Sequence, residues 1–291
     1  MANFAIPFCN PDRIMTSTDT IRIDLDAVLR QRIPRYRRWI PDAVVRWLER
    51  FIRQDELNEL MSSNYRYKDA EFCRGVLHDL NATYRVVHPE LLPPADDSRV
   101  IFVCNHPLGA LDGIVIIDLI CKTYGPGAKF VVNDLLSVLT PLKDTFLPIN
   151  KHGRQSRQAS MAVDEAFKSS APIIMFPAGL VSRRQKNGEI SDLKWNKMFI
   201  SRAIRDHRDI IPLHFDGHNS NFFYKFAQLR ERLGIKLNIE MICLPREVFG
   251  CRDKEFTITV GKRIPWRELA SGGRPAADEA QRIRSIIYSI D

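Results

Sequence analysis

The sequence predicts an α/β fold: a mixed sheet covered by helices on both faces, with a helical layer at its N-terminal end. Two observations carry that reading. From about residue 98 onward, short runs of β-branched and aromatic residues alternate with stretches of helical period, the order of a sheet with helices over its faces. Between residues 24 and 82 the period is largely helical. The chain therefore divides into residues 1–82, a helical segment carrying a basic amphipathic helix, and residues 83–291, the α/β domain. At 291 residues and 33.6 kDa it is long enough to bury one large core.

Residues 1–20 show no period and read as an extended lead-in or arm. A short helix over 24–32 ends before Pro34. In residues 41–53, Pro41 suits a first helical turn, and Val44, Trp47, Leu48, Phe51 and Ile52 share one face. Arg46, Glu49, Arg50 and Arg53 share the other. Helices follow over 55–64 and 68–81, the second with Phe72, Val76, Leu77 and Leu80 inward. Residues 83–88 and 100–104 read as strands, separated by a loop rich in proline and acid. Beyond the helix that starts near Asp112, strands are expected over 129–132, 145–149, 172–176, 210–215, 237–243 and 256–260. A helical turn over 134–139 ends at Pro141, and helices cover 156–168, 194–206, 222–233 and 278–289. The polar run from His218 to Asn221 reads as a helix cap.

Composition excludes several classes. Hydrophobic content of 45% and charged content of 27% are those of a globular protein. The longest apolar run, 114–121, is interrupted by Asp118, so no membrane span is expected. The N-terminal residues lack a basic start followed by an apolar core, which argues against a secretory signal. Six scattered cysteines without metal-ligand spacing point to reduced thiols and no structural metal, in a cytoplasmic protein. The net charge of +8 is local: eight arginines stand between residues 30 and 53, against Asp42 and Glu49. Trp39 and Trp47, an apolar face and flanking arginines such as Arg46 and Arg50 suit an interfacial membrane helix, with guanidinium groups on anionic headgroups. The competing reading is that this face packs on the domain. Nucleic acid is not expected as a partner, because no nucleic-acid module surrounds the patch.

The stretch from Ser98 to Gly113 carries the chemistry. An apolar strand, Val100 to Cys104, stops at Asn105-His106-Pro107, a polar break that no strand interior would choose. Asp112 then stands where a helix N-cap belongs. Strand, tight loop and helix can bring this carboxylate to one nitrogen of the His106 ring and leave the other to act as a base.

Asn105-His106 followed by Asp112 resembles the first block of the glycerolipid acyltransferases, the lysophosphatidate acyltransferase-like superfamily. The family's catalytic His and Asp are separated by four residues; here five intervene, Pro107 to Leu111. Three further blocks follow in order. Phe146 to Lys151 resembles the strand whose closing basic residue places the acceptor, with Lys151 or Arg154 in the role usually held by Arg. Phe176-Pro177-Ala178-Gly179-Leu180-Val181-Ser182-Arg183-Arg184 resembles the family's Phe-Pro-Glu-Gly-Thr-Arg-Ser-Arg block, with Ala178, Leu180 and Val181 as departures. Ile210 to Leu213 resembles the apolar strand with proline that closes the site. The first and third blocks together are similar to a hemolysin-like branch that acylates amino-acid lipids of the ornithine or glycine type.

The resemblance implies a catalytic pair, His106 and Asp112, and substrate contacts from Asn105, Lys151, Arg154, Gly179, Ser182, Arg183 and Arg184. Arg183, at the family's matching position, is expected to matter more for the acceptor than Arg184. It implies an acyl donor, acyl carrier protein or acyl-coenzyme A, a lyso-lipid acceptor, and a membrane surface contacted through Trp39, Val44, Trp47, Leu48, Phe51, Arg46 and Arg50. The protein would then sit on the inner face of the cell membrane. No cofactor or metal is implied. No GxSxG elbow supplies a nucleophile, so the acceptor oxygen would attack the thioester directly, with oxyanion donors sought near Gly109 or Gly179. A conventional lysophosphatidate acyltransferase and a non-catalytic membrane-binding protein are the alternatives.

Overall fold

The computed structural model of the chain describes residues 24–32, 37–133, 139–149, 157–235 and 238–290. The expectations for residues 1–20, for Lys151 and Arg154, and for all but the last residue of the turn over 134–139 lie outside the described residues. Seven strands form one mixed sheet: β1 (Thr83–Val87), β2 (Ile101–Cys104), β3 (Lys129–Asn133), β4 (Phe146–Ile149), β5 (Ile173–Met175), β8 (Ile210–Asp216) and β9 (Glu255–Val260). Their order is β1-β9-β8-β2-β5-β3-β4. Every neighbouring pair is parallel except β8 with β9, where Leu213 faces Val260.

The central strand shows why the sheet is covered on both sides. All four residues of β2 are buried, as parallel strands between helical layers require. Phe102 and Cys104 point to one core, shared with α4 (Asp69–Asp79) and α5 (Leu111–Tyr124) through Phe72, Val76, Val115 and Ile116. Ile101 and Val103 point to the other, lined by α6 (Arg157–Lys168), α7 (Met198–Asp206) and α11 (Ala276–Ile287) through Phe167, Phe199 and Ile283. The N-terminal helices α1 (Leu25–Arg32), α2 (Asp42–Phe51) and α3 (Gln54–Asn64) precede α4. Gln54 Oε1 accepts from the Leu25 backbone N–H at 2.8 Å, and Arg37 joins Asp26 to Asp42, so α1 is held against α2 and α3. No helix of the described residues is long and apolar enough to cross a membrane.

The structure corrects two expectations of secondary structure and adds elements the sequence did not predict. Ile239–Cys243 is a 3₁₀ turn running into α9 (Leu244–Phe249) rather than a strand. Pro245 presets the helical start, and buried Glu240 is turned toward two arginines instead of alternating as a strand would. The helix expected from residue 194 begins only at Met198, because buried Trp195 donates its indole N–H to Asp192 at 2.8 Å from a non-helical segment. A hairpin of β6 (Arg183–Arg184) and β7 (Ile190–Ser191) and the short helix α10 (Trp266–Ser271) had no clear period in the sequence. The capping expectation at Ser220 holds: its Oγ accepts from Phe223 N at the start of α8 (Asn221–Arg232).

One buried cation fastens this sheet to its helices. Arg208 is fully buried and donates to the carbonyls of Phe167 (2.7 Å), Ala166 (3.1 Å), Ser169 (2.5 Å) and Ala171 (2.8 Å) around the end of α6, and to Val100 (3.3 Å) ahead of β2. Burial lowers its pKa to about 10, which still leaves it charged at neutral pH. Arg208→Met should therefore lower the unfolding free energy by roughly 2–4 kcal/mol in urea titrations, since several buried carbonyls lose a charged donor at once.

Candidate active site

β2 ends at the C-terminal edge of the sheet and hands the chain to the loop 105–110. Asn105 fixes that exit: its Oδ1 accepts from Phe215 N at 2.7 Å and its Nδ2 donates to Phe215 O at 2.9 Å. With both amide ends committed to β8 and only 2% exposure, Asn105 positions the loop instead of facing a substrate. Leu108 and Leu111 are buried, which folds the loop back over the sheet end. Gly109 takes φ +90°, and a β-carbon there would meet Val181 at 2.6 Å.

The loop delivers His106 to Asp112. His106 Nδ1 lies 2.9 Å from Asp112 Oδ2, and the same oxygen accepts from Leu108 N (2.9 Å) and Gly109 N (3.2 Å). Its other oxygen accepts from Gly113 N at 2.9 Å. Contrary to the expectation from the sequence, Asp112 is not the N-cap; Ala110 is, and Asp112 lies inside the first turn of α5. The helix starts two residues earlier than expected, with Leu111 buried as its first residue, and the Asp112 carboxylate reaches back to the loop. Burial alone would raise the Asp112 pKa, but the charge and hydrogen bond of His106 and the loop N–H groups outweigh it and hold the carboxyl below its usual range. An anion on Nδ1 selects the Nδ1–H tautomer and puts the ring lone pair on Nε2. The ring is 16% exposed and stacks on Phe176, at the end of β5, with centroids 4.4 Å apart.

A second buried carboxylate, Asp192, holds the same loop from behind. It accepts from His106 N at 3.2 Å, Ser182 Oγ at 2.5 Å and Trp195 Nε1 at 2.8 Å. Ser182 N in turn donates to His106 O at 2.8 Å, which ties the Phe176–Arg184 segment to the first block. Arg284 of α11 and Tyr288 just past its end bond to the Asp192 backbone at 2.6 and 2.7 Å. Sequence reading singled out none of Asp192, Trp195, Arg284 and Tyr288. Their only sequence signal is an acid and a tryptophan just after the third block.

The residues expected to bind an anion separate. Arg183 is 4% exposed and donates to Glu240 at 2.6 Å and to Val181 O at 2.6 Å, with its guanidinium over the Phe223 ring. Arg230 grips the same Glu240 at 3.1 Å. Arg183 is thus a buried structural cation, contrary to its expected place in acceptor binding. Arg184 is half-buried, bonds Asn221 at 2.6 Å and lies over Tyr224. Gly179 takes φ +61° and its N–H donates to Phe176 O at 3.0 Å, while Gly109 N serves Asp112, so both of these N–H groups are engaged within the fold.

The apolar stripe of the N-terminal helix is largely uncovered, with Ile52 its one buried member. Val45 of α2 and Ile52 just past its end are buried, while Val44 and Trp47 stand 42% and 56% exposed and Leu48 and Phe51 are half-buried. Trp39 is 75% exposed under Arg38, and Arg46 and Arg50 reach solvent. Arg53 instead pairs with Glu56 and lies over Phe249, so it belongs to the fold.

A family model described as Acyltransferase matches residues 27–289. Two relatives named lyso-glycine lipid O-acyltransferase are each 40% identical over 276 residues and 95% of this chain. One is from Phocaeicola vulgatus, with 98% of its length covered, and one from Bacteroides thetaiotaomicron, with 100% covered. The crystal structure of the 1-acyl-sn-glycerophosphate (LPA) acyltransferase PlsC from Thermotoga maritima aligns over 83% of this chain and 90% of that one. At 13% identity and a TM-score of 0.43, the likeness is too loose to bear on the site.

The two arginines should behave differently when removed. Arg183→Ala breaks a buried pair and should cost roughly 3–5 kcal/mol of stability in chemical denaturation. Arg184→Ala should cost less than about 1 kcal/mol.

Proposed function

The chain belongs to the acyltransferase family, and from that premise we propose that it moves a fatty acyl group from a thioester to the hydroxyl of a lyso-glycine lipid. The donor is acyl carrier protein or acyl-coenzyme A. The observation that carries the reading is the buried Asp112 carboxylate 2.9 Å from His106 Nδ1. The two relatives identical at 40% supply the acceptor class.

His106 Nε2 takes the proton of the lipid hydroxyl as its oxygen attacks the thioester carbonyl carbon. Asp112 stabilises the imidazolium that forms, as the carboxylate of a catalytic triad does. The C–O bond forms, the tetrahedral intermediate collapses with loss of the C–S bond, and the departing thiolate recovers the proton from His106. Ester and free thiol are the products, with no covalent enzyme intermediate. Gly179 and Arg184 border the acceptor, Ser182 holds the His106 loop behind them, and by the family resemblance Lys151 or Arg154 supplies the basic contact to the acceptor. The arrangement favours the amino-acid lipid over a glycerol-phosphate acceptor: Val181 replaces the family's arginine, and Arg183 is committed to Glu240. The enzyme works as a peripheral protein on the inner face of the cell membrane, seated through Trp39, Val44, Trp47, Leu48 and Phe51, with Arg46 and Arg50 on anionic headgroups. Residues 1–82 form the seating layer, and residues 83–291 carry the chemistry.

Purified protein incubated with labelled acyl thioester and a panel of lyso-lipids should esterify the lyso-glycine lipid in preference to lysophosphatidate. His106→Ala and Asp112→Asn should each lower kcat by about 10²–10⁴-fold while leaving the melting transition of the His106 variant nearly unchanged. Preference for lysophosphatidate would replace the acceptor, and undiminished turnover by folded His106→Ala would remove the mechanism.

A further inference from the structure

The amphipathic helix α2 is not the end of the exposed apolar surface. Helix α8 has two apolar sides. One is buried, through Phe223, Tyr224 and Ala227. The other side carries Phe222, Phe226, Leu229 and Leu233, spaced i, i+4, i+7 and i+11, with Phe226 half-buried against the core and the other three outside. On that outer side Phe222 is 47% exposed, Leu229 52% and Leu233 65%, and Ile235 just beyond is 38% exposed. A helix that only packs on its domain would carry polar residues there.

The two helices are joined by ring contacts. Trp47 stacks on Phe51 with centroids 5.3 Å apart, Phe51 meets Phe222 at 5.7 Å, and Phe222 meets Phe226 at 6.0 Å. Arg246 of α9 lies over both Phe51 (4.9 Å) and Phe222 (5.7 Å), so a cation stands in the seam between the helices. Exposed Arg46, Arg50, Lys225 and Arg232 border the patch, against Glu49 and Glu231. The patch is therefore aromatic and aliphatic with a net positive border. A second copy of the chain would set positive border against positive border, whereas an anionic lipid surface supplies both an apolar boundary and negative headgroups.

The patch also abuts the catalytic loop. Asn219, two residues before α8, donates from Nδ2 to Pro107 O at 3.1 Å and to Leu108 O at 3.4 Å. We propose that α8 and α2 form one membrane-docking face, with α8 as the half that brings the bilayer to the His106 loop. This rests on the lipid-acceptor reading for its purpose but not for its test.

Full-length protein is sedimented with vesicles of phosphatidylglycerol and phosphatidylcholine, and with phosphatidylcholine alone. Wild type should bind the anionic vesicles and release as salt rises. Leu229→Glu/Leu233→Glu, on the outer side of α8, should bind them at least about tenfold more weakly, as should Trp47→Glu. Circular dichroism and melting curves establish that the variants are folded, and Leu229→Gln/Leu233→Gln serves as a second variant without added negative charge. Binding by folded α8 variants equal to wild type overturns the proposal, as does a wild type indifferent to lipid. A shift from dimer to monomer in light scattering, with vesicle binding unchanged, would assign the face to a second copy instead. Because sedimentation needs no turnover, loss of lipid binding in the α8 variants would uphold the face even if no acyl transfer were found.

Discussion

A carboxylate cut off from water is the constraint on which the rest of this structure depends. Asp112 is fully buried, and an uncompensated anion in such a place costs several kcal/mol. It persists because four donors converge on it: the His106 ring and the N–H groups of Leu108, Gly109 and Gly113. All four lie within six residues of Asp112, so satisfying the charge dictates the shape of the loop and the aim of the imidazole together. The fifth residue between His106 and Asp112 is absorbed where Gly109 turns through a positive φ. That turn is available only to a residue without a side chain, since Val181 and Leu244 crowd the position.

The loop is anchored from far away as well. Asn105 locks its entry to β8, Asp192 holds the His106 backbone, and Asn219 grips the carbonyls of Pro107 and Leu108. Each of these polar groups is buried, and each bridges elements 86 to 112 residues apart in sequence. Buried polar side chains of this kind specify one arrangement, because any other leaves donors or acceptors without partners. The Arg183–Glu240–Arg230 cluster does the same for the hairpin that follows the third block. A half-buried imidazole is thereby held on a rigid frame, with the exposed aromatic surface of α2 and α8 close by.

Much of this was legible in the sequence, and the division follows the range of the interactions. The strand–loop–helix around His106 could be read because its pattern is local: an apolar run, a polar break and an acid at a helix start. The helices and most strands were readable from their periods for the same reason. Asp192 was not, because its importance comes from Ser182, Trp195 and Tyr288, which only the fold brings to it. Arg183 reads as an anion-binding residue until Glu240, 57 residues on, is found against it. Residues 239–243 alternate like a strand, yet buried Glu240 and the following Pro245 make a helical turn. On α2 the period placed Val44 and Trp47 on one face, and that face is open to solvent; that Val45 and Ile52 are what meets the core could not be read from the period.

The central claim is that Asp112 fixes the His106 ring as the Nδ1–H tautomer and so puts the basic lone pair on Nε2. Nitrogen-15 NMR of histidine-labelled protein near neutral pH reads this directly, with the His106 signals assigned by their loss in His106→Gln. The account predicts an Nδ1–H imidazole in wild type and loss of that preference in Asp112→Asn. An Nε2–H tautomer in wild type, or a tautomer indifferent to the Asp112 substitution, would contradict it.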